Sequence, residues 1–236
     1  ASPRGTEETV HHCDPDAVGG CLMISLGHLH RRNALLYPEK PALIYGDQTI
    51  TFREYNLRIN RLVNALRALG LERGDRIAIF SRNCPEYMVV YGAGEKAGFP
   101  VAALNFRLAR REVEQLLRQI TPKAVFVQEQ FREIFDAIDY GDAKPLQVLL
   151  DGESAGPWRG LNDLLSQGDE AEPAVEVDGD DIAYLLFTSG TTGLPRAAML
   201  SHLGQWLDAT TFVMEASLTP EDRFLFISPL YHVAAR

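Results

Sequence analysis

Short apolar runs alternate with amphipathic segments along most of this chain. Between Tyr55 and Leu69 the apolar residues recur at helical spacing, and Thr51 lies where a capping box would place its hydroxyl. Further helices are predicted over residues 85–97 and 110–120, with buried strands at "DRIAIF", "PVAAL" and "KAVFV". Strands that alternate with helices in this order predict an α/β fold with a doubly wound, largely parallel sheet flanked by helices.

Two pairs of β-prone runs predict strands that are joined without an intervening helix. In "PALIYGDQTITF" the runs flank Gly46 and Asp47, which is a hairpin signal. The runs "IAYLLF" (182–187) and "RAAML" (196–200) predict two strands joined by a loop. A helix is expected after them, over about residues 201–215.

Changes in composition divide the chain into segments. Residues 1–20 are polar and aperiodic and are expected to form a mobile terminus. Residues 168–181 carry seven acidic side chains, which favours a solvated connector and leaves a cation-binding loop as the alternative. We therefore predict a first α/β subdomain over residues 21–167 and the start of a second α/β part over residues 182–236.

Two histidine-containing motifs raise the question of a metal site. The motif "HHCD" (11–14) is followed by no second ligand cluster at zinc-like spacing, so a polar terminus explains it more simply. The motif "HLH" (28–30) lies in an amphipathic segment, which is typical of surface or packing histidines. The sequence therefore assigns no metal ligand.

Charge and composition argue against several classes of protein. The 23 basic and 32 acidic residues give a net charge of -9, which argues against a nucleic-acid partner. No apolar run approaches the roughly 18 residues needed to span a bilayer, and the polar N-terminus lacks a signal-peptide core. The three cysteines are unpatterned, so we expect no disulfide framework and a reducing, cytoplasmic location.

The stretch from Tyr184 to His202, "YLLFTSGTTGLPRAAMLSH", places glycines and hydroxyls directly after a strand. Small residues let the backbone approach a ligand closely, and hydroxyls donate hydrogen bonds to anionic oxygens. Arg196 adds a guanidinium that can bind phosphate oxygens in a bidentate manner. A Walker loop would need a lysine followed by serine or threonine after its last glycine, and this chain has "LPR" there. The predicted ligand is a phosphate chain, with a surface turn that binds nothing as the alternative.

This stretch resembles the signature loop of the adenylate-forming superfamily, which comprises AMP-dependent acyl-CoA synthetases and ligases, luciferases and peptide-synthetase adenylation domains. Three other segments are similar to further blocks of that family in the same order: "PALIYGDQTITFREYNLRINRLVNALRALGLERGDRIAIF", "NCPEYMVVYGAGEKAGFPVAALNFRLARREVEQLL" and "ISPLYHVAA". The resemblance runs from about Ala34 to Arg236 and so covers nearly the whole chain.

The resemblance implies a carboxylate–CoA ligase that uses ATP and forms AMP. A carboxylate attacks the α-phosphate of Mg-bound ATP to give an acyl-adenylate and pyrophosphate, and coenzyme A then takes the acyl group and releases AMP. On this analogy Thr188, Arg196 and His232 are catalytic, and His232 with its neighbour Tyr231 borders the acyl pocket and the route of the thiol. The residues expected to bind the β- and γ-phosphates are Thr188, Ser189, Gly190, Thr191, Thr192, Gly193 and Arg196.

Two loop positions depart from the family pattern. Arg196 stands where the family most often has lysine, and Ala197 stands where it most often has glycine. Arginine keeps the charge, whereas alanine removes some backbone freedom. A non-catalytic binding or assembly module is therefore an alternative to a fatty-acid or aryl-acid CoA ligase, and an amino-acid adenylation domain is another.

The resemblance further implies that this chain is the N-terminal part of such an enzyme. The adenine- and ribose-binding segments, the glutamate that helps to hold magnesium and the C-terminal domain with its catalytic lysine have no counterpart in the chain. We therefore expect this part to be inactive alone and to leave an apolar edge and face uncovered. Such a face predicts association with other chains, a homo-oligomer included.

Overall fold

The computed structural model describes residues 25–141, 144–188 and 196–232. The predicted terminus at residues 1–20, with its "HHCD" motif, lies outside the described residues. The same holds for five predicted phosphate-binding residues, which are Ser189, Gly190, Thr191, Thr192 and Gly193.

A mixed β-sheet flanked by helices is the centre of the fold. The strands are β1 (Pro41–Tyr45), β2 (Gln48–Thr51), β3 (Ile77–Phe80), β4 (Val101–Leu104), β5 (Ala124–Val127), β6 (Leu146–Leu149), β7 (Trp158–Gly160), β8 (Ile182–Thr188) and β9 (Arg196–Ser201). Within the described ranges, seven of them form one sheet in the order β7-β6-β5-β3-β4-β8-β9. The strands from β3 to β8 run parallel, and β9 pairs with β8 in the antiparallel direction.

The helices follow the predicted alternation. They are α1 (Leu26–Leu36), α2 (Phe52–Ala68), α3 (Pro85–Ala97), α4 (Arg110–Ile120), α5 (Arg132–Asp136), α6 (Leu161–Gln167) and α7 (His202–Glu215). The start of α2 is capped by the Thr51 hydroxyl, which accepts a hydrogen bond from the Glu54 N–H at 3.2 Å. Proline at the first position of α3 and Gly98 in the left-handed conformation after it fix both of its ends.

Helices cover both faces of the sheet, which confirms the doubly wound prediction. Alternate strand residues such as Ile77, Ile79 and Phe126 pack with α1, α2, α3 and α6 in one core cluster. The intervening residues, such as Ala78 and Phe80, pack with α4 and α5 in a second cluster. This alternation arises because successive side chains of a strand point to opposite faces of its sheet. The predicted hairpin of β1 and β2 is also confirmed.

The strand β8 lies beside β4, with Val101 opposite Tyr184 and Ala102 opposite Leu185. The strands before and after the acidic segment 168–181 therefore belong to one sheet. The strand β9 then forms the edge of the sheet. The proposed division of the chain at this segment stays a prediction.

The acidic segment 168–181 is mostly exposed, and three of its carboxylates form ion pairs. Glu170 pairs with Arg61, Glu172 with Lys96 at 2.6 Å and Asp181 with Arg73 at 2.7 Å. These partners lie on α2, at the end of α3 and before β3, so the segment is attached to the first part of the fold.

An apolar surface surrounds α7 and the segment that follows it. Its most exposed members are Met199, Met214, Leu225 and Ile227, which are 69%, 72%, 81% and 84% exposed. This surface and the edge strand β9 agree with the expected uncovered edge and face, and the expected self-association stays a prediction. No helix among the described residues is both long and apolar enough to cross a bilayer.

Candidate functional site

The predicted phosphate-binding loop begins and ends at one edge of the sheet. The parallel strands β3, β4 and β8 end there at Phe80, Leu104 and Thr188, and we call this side of the sheet the carboxyl edge. Arg196 begins β9 directly opposite Thr188, so the two residues lie on neighbouring strands. The structure thus places both flanking residues of the loop at the edge where open α/β sheets bind their ligands.

Two arginines and an aromatic ring lie just beyond β3 and β4 at the same edge. The guanidinium carbons of Arg82 and Arg107 lie 5.8 Å and 5.6 Å from the centre of the Phe106 ring. Both arginines are exposed, and the Phe106 ring is half-buried and stacks on Phe131 at 6.0 Å. The carboxyl edge therefore presents two cations on an aromatic surface, a combination that suits an anionic ligand carrying an aromatic base.

The segment that carries His232 lies across this edge. The Tyr231 ring packs edge-on against Phe106 with centroids 5.7 Å apart. The His232 N–H donates to the carbonyl oxygen of Pro229 at 2.9 Å, which closes a turn and leaves the residue exposed. Of the predicted catalytic residues, Thr188, Arg196 and His232 therefore all lie at the carboxyl edge.

A side chain from the start of α3 attaches this segment to the sheet. The Asn83 Nδ2 donates to the carbonyl oxygen of Ser228 at 2.9 Å, and its Oδ1 accepts from the Leu230 N–H at 2.9 Å. The Tyr91 hydroxyl donates to the carbonyl oxygen of Leu230 at 3.3 Å. The sequence did not indicate these contacts. The sequence carries no local signal for them, because the partners are separated by more than 140 positions.

Cys84, beside Asn83, has the wrong protonation state for a nucleophile. Burial raises the pKa of its thiol to about 11. Its sulfur lies 3.7 Å from the Ser81 hydroxyl. The thiol is therefore protonated at neutral pH, and its chemistry is that of a packing residue.

The described residues offer no metal-binding cluster. Among them, no group of three or more histidine, cysteine, aspartate or glutamate side chains could hold an ion. The arginines at the carboxyl edge suit an anionic ligand, whereas no magnesium ligand can be assigned within the described part of the chain.

A buried polar cluster joins α1, α3 and β8 behind the site. The Glu95 carboxylate bonds to both the His30 ring and the Tyr184 hydroxyl. The Tyr55 hydroxyl donates to the carbonyl oxygen of Met88 at 2.8 Å, and its ring packs against His30. His30 of the "HLH" motif is therefore a packing histidine, as the sequence predicted.

His202, the last residue of the signature stretch, connects the start of α7 to α1. Its side chain is fully buried, and its Nδ1 accepts a hydrogen bond from the Leu26 N–H at 3.2 Å. The Nε2 atom has no hydrogen-bond partner among the described residues. Burial lowers the pKa of His202 below its ordinary value of 6.5, and the Glu95 and Asp181 carboxylates oppose this shift.

The lowered pKa of His202 predicts a loss of stability in mild acid. Between the folded and unfolded pKa values the unfolded chain binds more protons, so the free energy of unfolding falls as the pH drops below about 6.5. A His202→Asn variant keeps an acceptor for the Leu26 N–H and does not titrate. Denaturation with urea at about pH 7.5 and about pH 5.5 should show a larger loss for the original protein than for this variant. Equal losses in the free energy of unfolding of the two proteins would contradict the assignment of this pH dependence to His202.

Comparisons with known proteins agree on one family. The model of the family described as "AMP-binding enzyme" matches residues 30–236. Feruloyl-CoA synthase of Amycolatopsis sp. is 32% identical over 210 residues, which cover 89% of this chain and 40% of that protein. Long-chain-fatty-acid–CoA ligase FadD13 of Mycobacterium tuberculosis (strain ATCC 25618 / H37Rv) is 31% identical over 218 residues, which cover 90% of this chain and 42% of that protein.

A solved structure shows the same fold. The inhibitor-bound N-terminal domain of FACL13 from Mycobacterium tuberculosis superposes with a TM-score of 0.79 at 30% identity, covering 90% of this chain and 53% of that one. The chain thus spans less than half the length of the two curated relatives and about half of the solved domain.

Proposed function

Because this chain belongs to the AMP-binding enzyme family, we propose that its protein is an acyl-CoA synthetase. It activates a carboxylic acid with ATP as an acyl-adenylate and transfers the acyl group to coenzyme A. Relatives that act as CoA ligases on aryl and fatty acids support this reaction. The whole reaction belongs to the full-length protein, since the chain spans 40% and 42% of those relatives.

The observation that carries the proposal is the convergence of three predicted catalytic residues on one edge of the sheet. Thr188 and Arg196 lie opposite each other at the two ends of the signature loop. His232 lies on a segment that packs against Phe106, which follows the neighbouring strand β4. Displacement at phosphorus requires positioning and charge neutralisation more than covalent chemistry, and this edge supplies both.

The loop and Arg196 are proposed to hold the pyrophosphate part of ATP. The hydroxyl and amide groups of residues 188–193 donate to the β- and γ-phosphate oxygens, and the Arg196 guanidinium neutralises the charge that builds up on the departing pyrophosphate. Magnesium, when bound, would neutralise phosphate charge as well. Among the described residues, no group of three or more histidine, cysteine, aspartate or glutamate side chains could hold it.

Arg82 and Arg107 are proposed to attract the anionic end of coenzyme A. They lie over the Phe106 ring at the same edge as His232. Guanidinium groups bind phosphate well, and the aromatic ring offers a stacking surface. His232 and Tyr231 then border the path of the thiol toward the acyl-adenylate.

Thioester formation in the full-length protein tests the proposed reaction and the role of His232. We expect acyl-CoA to form from ATP, coenzyme A and either a fatty or an aryl acid, and not from amino acids. His232→Ala should lower turnover by about a hundredfold or change the preferred acid, because in the proposal His232 borders the acyl pocket and helps to position the acid. Mass spectrometry of the thioester products measures both effects. A His232→Ala protein with unchanged turnover and acid preference would contradict the role of His232, and aminoacyl products would favour an adenylation domain.

A non-catalytic assembly module is the second candidate, and the exposed apolar surface around α7 would be its contact surface. Met214, Leu225 and Ile227 on that surface could pack against another chain. A full-length protein that folds, associates and forms no adenylate would favour the module over the enzyme.

A cytoplasmic location is part of the main proposal and rests on the few, unpatterned cysteines.

A further inference from the structure

We propose that Asn83 is a positioning residue that fixes residues 228–232 at the carboxyl edge. These residues carry His232 and are called the His232 segment. The two hydrogen bonds from its amide to residues 228 and 230 are called the Asn83 bridge. The inference rests on the proposed function of His232, because it assigns to Asn83 the task of holding that side chain in place for the reaction.

The Asn83 bridge copies the pairing of a neighbouring strand. One side-chain amide donates to the carbonyl of Ser228 and accepts from the N–H of Leu230, both at 2.9 Å. In a parallel ladder a residue likewise bonds to the carbonyl of one residue and to the N–H of the residue two positions on, although residues 228–232 here form a bend and a turn. A side-chain amide carries a donor and an acceptor at a fixed spacing that suits this pair of backbone groups.

The segment has little other support from its own backbone. Residues 219–227, which precede the His232 segment, form no helix or strand. Three of them, Phe224, Leu225 and Ile227, are largely exposed. Leu230, by contrast, is 8% exposed, and its carbonyl also accepts a hydrogen bond from Tyr91. The position of His232 is therefore set by side chains of the first half of the chain.

The ring contact of Tyr231 continues the same attachment. Tyr231 packs on Phe106, which directly precedes Arg107 and follows β4. The Asn83 bridge holds residues 228 and 230 beside the end of β3, so the segment spans the ends of two parallel strands. Loss of the bridge removes two hydrogen bonds from residues 228 and 230, and we expect the imidazole of His232 then to sample positions away from the acyl pocket.

Hydrogen exchange of this chain tests the bridge without any assumption about catalysis. In Asn83→Ala we expect the Leu230 amide to exchange about tenfold faster, because it loses its acceptor. Asn83→Asp keeps that acceptor and loses the donor to Ser228, so it should give a smaller increase and serves as a milder variant if Asn83→Ala unfolds. Asn64→Ala is the matched control, since the Asn64 amide donates to the carbonyls of Asp169 and Ala171 at 2.8 Å and 2.9 Å.

The control should speed exchange around residues 169–171 and leave residues 228–232 unchanged. Unchanged protection of Leu230 in both Asn83 variants would overturn the bridge, whatever the protein catalyses. Faster exchange at Leu230 in Asn83→Ala, with a smaller increase in Asn83→Asp, would support it.

A double-mutant cycle in the full-length protein tests the link to His232. If Asn83 acts through His232, Asn83→Ala lowers turnover and adds no further loss to His232→Ala. Additive losses, or unchanged turnover in Asn83→Ala when His232→Ala is impaired, would overturn the positioning role. If the unaltered protein forms no thioester, the proposed function fails and this role fails with it, whereas faster exchange at Leu230 would still establish the bridge.

Discussion

Replacement of Lys96 by methionine is expected to lower the free energy of unfolding by about 3 kcal/mol. The Lys96 side chain is only 6% exposed. Its ammonium donates to Asn56 Oδ1 at 2.7 Å, to Asn60 Oδ1 at 2.6 Å and to Glu172 Oε2 at 2.6 Å. Methionine keeps the length of the side chain and leaves these acceptors without their donor, which is the costly outcome for buried polar groups.

Opposed effects act on the pKa of the Lys96 ammonium, and the net shift is downward. Burial lowers the pKa of Lys96, and the hydrogen bond and charge of Glu172 raise it again. Asn56 also donates to Glu172 Oε1 at 2.7 Å, so the acidic segment, α2 and the end of α3 share one network. The loss of Lys96 should therefore loosen the segment 168–181 as well as destabilise the fold.

A matched exposed pair separates this network from ordinary surface charges. Arg61 pairs with Glu170 on the same segment, and their side chains are 39% and 51% exposed. Arg61→Met should cost below about 1 kcal/mol, as expected for an exposed ion pair. Urea denaturation of Lys96→Met, Glu172→Gln and the double variant measures the coupling between the two residues. A cost for Lys96→Met no larger than that for Arg61→Met would contradict the account.

Arg196→Ala is expected to lower the rate of ATP–pyrophosphate exchange in the full-length protein by about a hundredfold to a thousandfold. This range is typical for the loss of one group that stabilises developing charge. Arg196 is exposed at the start of β9 and lies opposite Thr188, so it flanks the C-terminal end of the signature loop. Lysine keeps the charge and loses the bidentate geometry, so Arg196→Lys should retain most of the rate.

Arg159→Ala provides the control for a change of net charge. Arg159 is also exposed on a strand, but β7 is the opposite edge strand of the sheet. Exchange by this variant should equal that of the unaltered protein. If Arg196→Ala exchanges pyrophosphate as fast as Arg159→Ala, Arg196 does not contact the departing group.

Local signals explain why much of the fold could be predicted. Helices α3 and α4 have the predicted bounds because the proline at the start of α3, Gly98 after it and the apolar periodicity are properties of a few neighbouring residues. The buried strands are continuous apolar runs that end at polar positions. The signature stretch likewise lies within twenty residues, so its flanking strands could be recognised before their positions in the sheet were known.

Contacts between distant parts of the chain could not be predicted in this way. The acidic run suggested a solvated connector, because nothing in its composition shows that Glu172 meets an ammonium on α3. The polar pattern around Asn83 likewise indicates only a helix start, although its amide holds residues 228 and 230. Such pairings depend on the order of strands in the sheet, which the periodicity of a single sequence does not fix.

Carboxylate-dependent exchange of pyrophosphate into ATP tests the central claim most directly. The full-length protein, shown to be folded, is incubated with ATP, magnesium and labelled pyrophosphate in the presence of fatty, aryl or amino acids in turn. We predict exchange that requires either a fatty or an aryl acid, because in the proposed reaction the signature loop would hold pyrophosphate while the carboxylate attacks the α-phosphate. The absence of exchange with every acid would contradict the account and leave a protein of this fold without the adenylation reaction.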